Sequence, residues 1–125
     1  MKLEHVALHV KDRREISDFY QDILGMELVR SFTLDRKLAS DIFWLKESPE
    51  VFLMQKDQLQ FEIFLSPAQN TRGFSHVCIS STHRDEMIEN ASRHSYRVLR
   101  LKREYSDLVF LWDHFGNAFE VKDSS

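Results

Sequence analysis

Apolar positions along the chain follow two periods, and the two periods alternate in the same order twice. "KLEHVALHV", from Lys2 to Val10, is dense in apolar and β-branched residues and predicts a strand. "DRREISDFYQDILG" follows. Ile16, Phe19, Tyr20, Ile23 and Leu24 recur there at helical spacing, with Asp12 a candidate N-cap and Gly25 a candidate C-cap. "MELVRSFTL" then predicts a second strand. From Gly73 the order returns: "GFSHVCIS" as a strand, "STHRDEMIENASRH" as a helix capped by Ser81 or Thr82, and "YRVLRLKREY" as a strand.

Laid side by side, the halves agree in polar positions as well as in element type. His5-Val6 meets His76-Val77, an offset of 71 (76 − 5), and Glu15 meets Glu86 at the same offset. "ELVR", Glu27 to Arg30, meets "RVLR", Arg97 to Arg100, with one residue of slippage. The ends match too, since "QFEIF" (Gln60 to Phe64) echoes "AFEVK" (Ala118 to Lys122). Two βαβββ modules are therefore expected within one domain of 1–125: about 1–66 and about 73–123, joined by "SPAQNTR" at 66–72. "VFLMQK" and "LQFEIFL" form a hairpin around Asp57-Gln58. "DLVFLWD" and "NAFEVK" form another around "DHFGN", where Gly116 takes a positive φ. The segment 34–50 has no twin. Leu38, Ile42 and Leu45 fit one face of a short helix or lid, but "DIFWLK" reads equally well as a strand.

Bulk composition narrows the class. A chain of 125 residues, 42% hydrophobic and 30% charged, can bury a real core. The net charge of −3 comes with no basic stripe for nucleic acid and no basic amphipathic stretch for a membrane surface. Cys78 is the only cysteine, so no intrachain disulfide can form. No apolar run spans a bilayer, and Met1 leads into a strand pattern rather than a signal peptide. The cytoplasm is the simplest compartment. With 3 glycines, no glycine-rich phosphate loop exists.

The chemistry concentrates in four residues, one per strand. His5, Glu62, His76 and Glu120 hold equivalent places in the two halves. Side chains alternate along a strand, so each can point to one face while Val6, Ile63, Val77 and Val121 pack on the other. A strand histidine taken singly is usually a hydrogen-bonded core or rim residue; the repeat makes these four a set. Two carboxylates about 4 Å apart repel by roughly 4 kcal/mol at an effective dielectric near 20. Partly buried, they must pair, protonate or bind a cation. Two nitrogen and two carboxylate donors suit one divalent first-row metal (Ni, Zn, Co, Mn or Fe) with open positions left for chemistry.

This constellation resembles the vicinal oxygen chelate superfamily, the glyoxalase, bleomycin resistance and dioxygenase proteins. "LEHVALHVKD" with "FYQDILGMELV" looks like the family's opening strand and helix. "DHFGNAFEV" looks like its closing hairpin, with His114 and Phe115 in place of the usual Pro and Asp. The resemblance implies an α+β fold in which paired βαβββ modules form an open, curved, eight-stranded barrel with the metal on its concave side. It places the metal ligands at His5, Glu62, His76 and Glu120. The His, Glu, His, Glu order is that of glyoxalase I-like lyases. Extradiol dioxygenases and fosfomycin resistance proteins have no ligand at the Glu62 position. The implied reaction is metal-stabilised enediolate proton transfer on a small oxygen-chelating substrate, with Glu120 as the main base and Glu62 its counterpart. The alternatives are a binding or resistance module without turnover and an Fe(II) ring-cleaving dioxygenase.

Departures from the pattern bear on the substrate. The family's glutathione-binding Arg corresponds to His9, and its Asn to Ser66. His9 donates a hydrogen bond to a ligand residue, contacts the substrate or is a rim histidine. Cys78 is in phase with His76 and Lys122 with Glu120; Cys78 reads as a small buried apolar residue or as a reactive thiol. Phe43, Trp44, Phe64 and Trp112 are candidates to line an apolar pocket, and Arg100 or Lys122 to meet an anion. Arg13, Arg14, Lys102 and Arg103 read as surface charge, and His83 and His94 as solvated residues bracketing the second helix. A homodimer is the usual family state, with modules paired within a chain or swapped across two.

Overall fold

Each half of the repeat becomes one four-stranded mixed sheet with its helix. The computed structural model describes residues 3–67 and 76–125. The chain divides into two compact units, Met1–Asn70 and Thr71–Ser125. Ser66 and Pro67 of the expected linker belong to the first unit; 68–72, and the opening Gly73 to Ser75 of the second module, lie outside the described residues.

The first unit runs β1 (Val6–Val10), α1 (Ile16–Gln21), β2 (Glu27–Thr33), α2 (Arg36–Phe43), β3 (Glu50–Lys56) and β4 (Leu59–Leu65). Its sheet order is β1-β4-β3-β2, with β1 parallel to β4 and the other pairs antiparallel. The second unit runs β5 (Val77–Ser81), α3 (Arg84–Arg93), β6 (Val98–Leu101), β7 (Leu108–Trp112) and β8 (Ala118–Asp123). Its order is β5-β8-β7-β6, with β5 parallel to β8. The two topologies are the same, as the repeat predicts.

Alternation sorts each sheet into a packed face and an open one. Phe61 and Ile63 of β4 and Met54 of β3 are fully buried, as are Phe19 and Tyr20 of α1, whose Tyr20 ring meets Phe61 edge-on with centroids 6.3 Å apart. Phe119, Val121, Val109 and Leu111 are the counterparts in the second sheet, with Ala91 of α3 buried as well. The first helix is wound wider than an α-helix: Asp22 N–H donates to Ser17 O (2.9 Å) and Leu24 N–H to Phe19 O (3.0 Å), both i→i−5 bonds. Gly25 ends the helical stretch at φ +70°, as expected.

One expectation is corrected, one open alternative is decided, and two matches between the halves are qualified. The N-cap of α3 is His83; Ser81 Oγ instead accepts the His83 N–H at 3.0 Å, and Thr82 Oγ1 pairs with the His83 ring, so both hydroxyls are spent before the helix begins. The segment 34–50 forms helix α2, because Asp35 accepts from the N–H groups of Lys37 and Leu38 and so nucleates a first turn. Ala39 is buried and Leu38 is exposed; the side chains of Ile42 and Phe43 lie outside those described. Glu15 and Glu86 share an offset but not an environment: Glu15 is buried and Glu86 exposed. The slippage between "ELVR" and "RVLR" is a β-bulge, for the register of β2 on β3 shifts between Leu28 and Arg30. Val29 is the extra residue, and Arg30 falls where Leu99, not Arg100, sits in the second sheet.

Helix α2 ends in a strained residue. Trp44 takes φ +55°, ψ +30°, a left-handed conformation that a Cβ disfavours, and the residue is 87% exposed. Trp44→Gly is expected to raise stability by about 0.5–1 kcal/mol, since the strain is relieved and little packing is lost. Urea denaturation checks this.

Candidate functional site

The four repeated residues meet in two pairs, one in each unit. His5 lies one residue ahead of β1 and His76 one residue ahead of β5. Ala7 pairs with Glu62 across β1 and β4, and Cys78 pairs with Glu120 across β5 and β8. These are the same register positions, since 78 − 7 and 76 − 5 give the same offset. His5 Nε2 lies 3.6 Å from Glu62 Oε2, and His76 Nε2 lies 3.9 Å from Glu120 Oε2. Exposure matches as well: the side chains are 43% and 26% accessible in the first pair and 41% and 20% in the second. All four stand on the face opposite the buried Phe61, Ile63, Phe119 and Val121.

These separations lie within ion-pair distance and also match two donors on one cation. Both exceed hydrogen-bond length. Donors held at about 2.0–2.2 Å from one cation lie roughly 3 Å apart when adjacent and about 4.3 Å apart when opposite. The observed gaps fall inside that range, and imidazole with carboxylate is a donor set for divalent first-row metals. Among the described residues, no group of three or more His, Cys, Asp or Glu is assembled that could hold a metal. Each unit holds one pair.

Flanking residues differ between the sheets. Around Glu62 the open face carries Gln60, Gln55 and Leu53, with Gln60 Nε2 donating to Gln55 Oε1 at 3.3 Å. Around Glu120 it carries Ala118, Phe110 and Trp112. The Phe110 ring stands 5.4 Å from His76 and stacks 5.8 Å from Trp112, and the Arg97 guanidinium lies 4.2 Å above the Trp112 ring. Phe110 and Arg97 were not singled out from the sequence, although the hairpin register alone places Phe110 beside Glu120.

The remaining candidates separate. His9 Nε2 is 2.8 Å from Ser66 O, and Ser66 N–H donates to Val10 O at 3.1 Å. A carbonyl only accepts, so His9 carries its proton on Nε2, and both residues tie the end of β4 to β1. Phe64 is half-buried on the Glu62 face, and Lys122 is exposed on the Glu120 face. Trp44 projects from the end of α2. Arg100 faces away from Glu120, beside Val109, and is held by Asp107 (2.7 Å) and Asp85 (3.4 Å). Arg13 is paired with Glu50 and stacks on Phe52, and Arg14 binds Asp12, as surface charges do. His94 is exposed, with Nδ1 2.7 Å from Asn90 O.

Cys78 is exposed rather than buried, because the sheet face it shares with Glu120 is the open one. Its thiol pKa is nonetheless raised, first by local desolvation and then by the adjacent Glu120 carboxylate, which opposes a neighbouring thiolate. Iodoacetamide should therefore label Cys78 of metal-free protein more slowly than a model thiol at pH 8. Glu120→Gln should speed the reaction, and an unchanged rate would remove the carboxylate's part.

Comparison with known proteins follows this geometry. Residues 4–107 match the Glyoxalase/Bleomycin resistance protein/Dioxygenase superfamily. The chain belongs to that superfamily. No curated protein matches it. Among solved structures, a glyoxalase family protein from Enterococcus faecalis is 18% identical with a TM-score of 0.73, covering 96% of this chain and 95% of that one. The fosfomycin resistance protein FosX from Listeria monocytogenes, as an E126Q mutant with Mn(II) and 1S,2S-dihydroxypropylphosphonic acid, is 17% identical with a TM-score of 0.77, covering 99% and 93%. FosX from Mesorhizobium loti is 12% identical with a TM-score of 0.71, covering 99% and 92%. At these identities the likeness is one of fold. Among the described residues, no helix of this superfamily member is long and apolar enough to cross a membrane.

Proposed function

We propose that the chain is a metal-dependent isomerase or lyase of glyoxalase I type, acting on a small substrate with adjacent oxygens. The observation that carries this is the duplicated His–Glu pair, with the same register and near-equal separations of 3.6 and 3.9 Å in the two units. His5 and Glu62 with His76 and Glu120 would hold one divalent first-row cation, of a kind that the L. monocytogenes FosX structure contains as Mn(II). When bound, such a cation supplies Lewis-acid polarisation to a chelated pair of oxygens.

The chain's own residues supply the rest. Glu120 is a half-buried carboxylate flanked by the Phe110 ring and the small Ala118, so a substrate carbon can approach it closely. It would take a proton from one carbon and return it to the next. Glu62, in the polar surroundings of Gln60 and Gln55, would be its counterpart. The assembly expected is a homodimer, which light scattering reads.

Elemental analysis of the purified protein tests the reading, followed by hemithioacetal isomerisation with solvent-deuterium incorporation. About one metal equivalent per chain together with turnover supports it. No uptake of Ni, Co, Zn, Mn or Fe(II) overturns the metal site. Metal and ligand binding without turnover would make the protein a binding or resistance module, and oxygen consumption would make it an oxygenase.

A further inference from the structure

We infer that the substrate carries a flat apolar body and, at the end remote from its adjacent oxygens, an anionic group, and that Arg97 is the receptor for that group. This rests on the His76–Glu120 half of the proposed metal site. The two units differ in the side chains that flank their His–Glu pairs.

Carrying the β5–β8 register back one residue sets His76 beside Ala118, and Ala118 pairs with Trp112 on β7. Trp112 N–H donates to Arg97 O at 3.1 Å, which extends the row to Arg97 at the start of β6. His76, Ala118, Trp112 and Arg97 thus form one line across the sheet. The matching line in the first unit, from His5, is Gln60, Gln55 and Glu27. The line from His5 therefore carries amides and an acid, with the Arg30 guanidinium over Phe32 one row further along, whereas the line from His76 itself carries a methyl group, an indole and a cation. A substrate chelated symmetrically by the repeat would still be oriented by this difference.

The second line has the properties of a recognition surface. Ala118 leaves room between the imidazole and the indole. Phe110 and Trp112 present stacked rings beside it. The Arg97 guanidinium is held over Trp112 rather than by an acid: among the described residues no carboxylate pairs with it, as is also true of Arg30 over Phe32, whereas Arg13, Arg14 and Arg100 are so paired; what sets Arg97 apart is its place on the line from His76. A guanidinium fixed against an indole keeps its outward N–H donors for a carboxylate or phosphate. Two strand spacings separate the His76 strand from the Trp112 strand, so the anion would lie about 10 Å from the chelating oxygens.

Equilibrium dialysis with 3,4-dihydroxycinnamate tests this, since the probe has adjacent oxygens, a flat body and a distant carboxylate. Its methyl ester is the neutral control. Both are measured on the full chain, EDTA-treated and Mn(II)-loaded. The acid is expected to bind about tenfold more tightly than the ester. Arg97→Gln should abolish that ratio without changing Mn(II) affinity, Arg97→Lys should keep part of it, and Trp112→Leu should weaken both probes and lower the ratio as well, since the indole holds the guanidinium in place. Equal binding of acid and ester by the unsubstituted protein, or a ratio untouched by Arg97→Gln, overturns the inference. Failure to bind Mn(II) would overturn the metal site instead, and the ratio in EDTA-treated protein would still decide the role of Arg97.

Discussion

Glu120→Gln is expected to lower metal affinity by at least about a hundredfold and to reduce turnover by about 10²–10⁴-fold. The substitution keeps the shape of the side chain and removes both its charge and its basicity. Glu120 stands 3.9 Å from His76 Nε2 and beside Cys78 and Phe110, so the lost charge is not replaced by a neighbouring acid on that face. Glu62→Gln should cost a similar share of metal affinity, because its register and its 3.6 Å approach to His5 are the same. Turnover should separate the two. If Glu120 is the main base, the Glu62 variant saturated with metal keeps more activity than the Glu120 variant at equal occupancy. Metal content by elemental analysis and kcat at saturating metal read the two effects independently. Equal losses of kcat would make the carboxylates equivalent partners in proton transfer, and unchanged metal affinity in either variant would remove that residue from the coordination shell.

The repeat was legible in the sequence because it is written in residues whose positions topology fixes. His5 and His76 stand at the same step before a parallel edge strand, and Glu62 and Glu120 stand opposite the same step inside the sheet. A period of two assigns their face without any knowledge of the partner strand. What stayed hidden was lateral. That Arg100 turns from Glu120 toward Asp107 and Asp85, while Arg97 lies over Trp112, is set by the pairing of β6 with β7, and the bulge at Val29 in the other half hides it from a comparison of the two. A one-residue slip exchanges the faces of a strand, and a motif alignment of "ELVR" with "RVLR" cannot see which half carries the extra residue. Helix α2 was undecided for a related reason. Its apolar residues suit either period, and the Asp35 cap that decides the matter is a single side chain.

Asp113→Ala is expected to destabilise the protein by about 2–4 kcal/mol, an effect set by hydrogen bonds rather than by apolar burial. Asp113 is buried at the end of β7, where its Oδ1 accepts the N–H groups of Phe115 and Asn117, each at 2.9 Å, and its Oδ2 accepts Asn117 Nδ2 at 2.6 Å. These bonds close the "DHFGN" turn, with Gly116 at φ +87°. Alanine would leave two part-buried N–H donors without their acceptor and let the turn open. The consequence reaches the site through the strand, because Ala118 and Glu120 follow this turn directly and hold their positions opposite Trp112 and Phe110 by the register it sets. Urea denaturation should show the loss in midpoint with little change in slope. Metal affinity of the still-folded fraction should fall with it, since a loosened β8 no longer keeps Glu120 beside His76. A variant that loses stability but binds metal as tightly as before would show that β5 and β7 alone hold β8 in register, and that the turn serves the fold without serving the site.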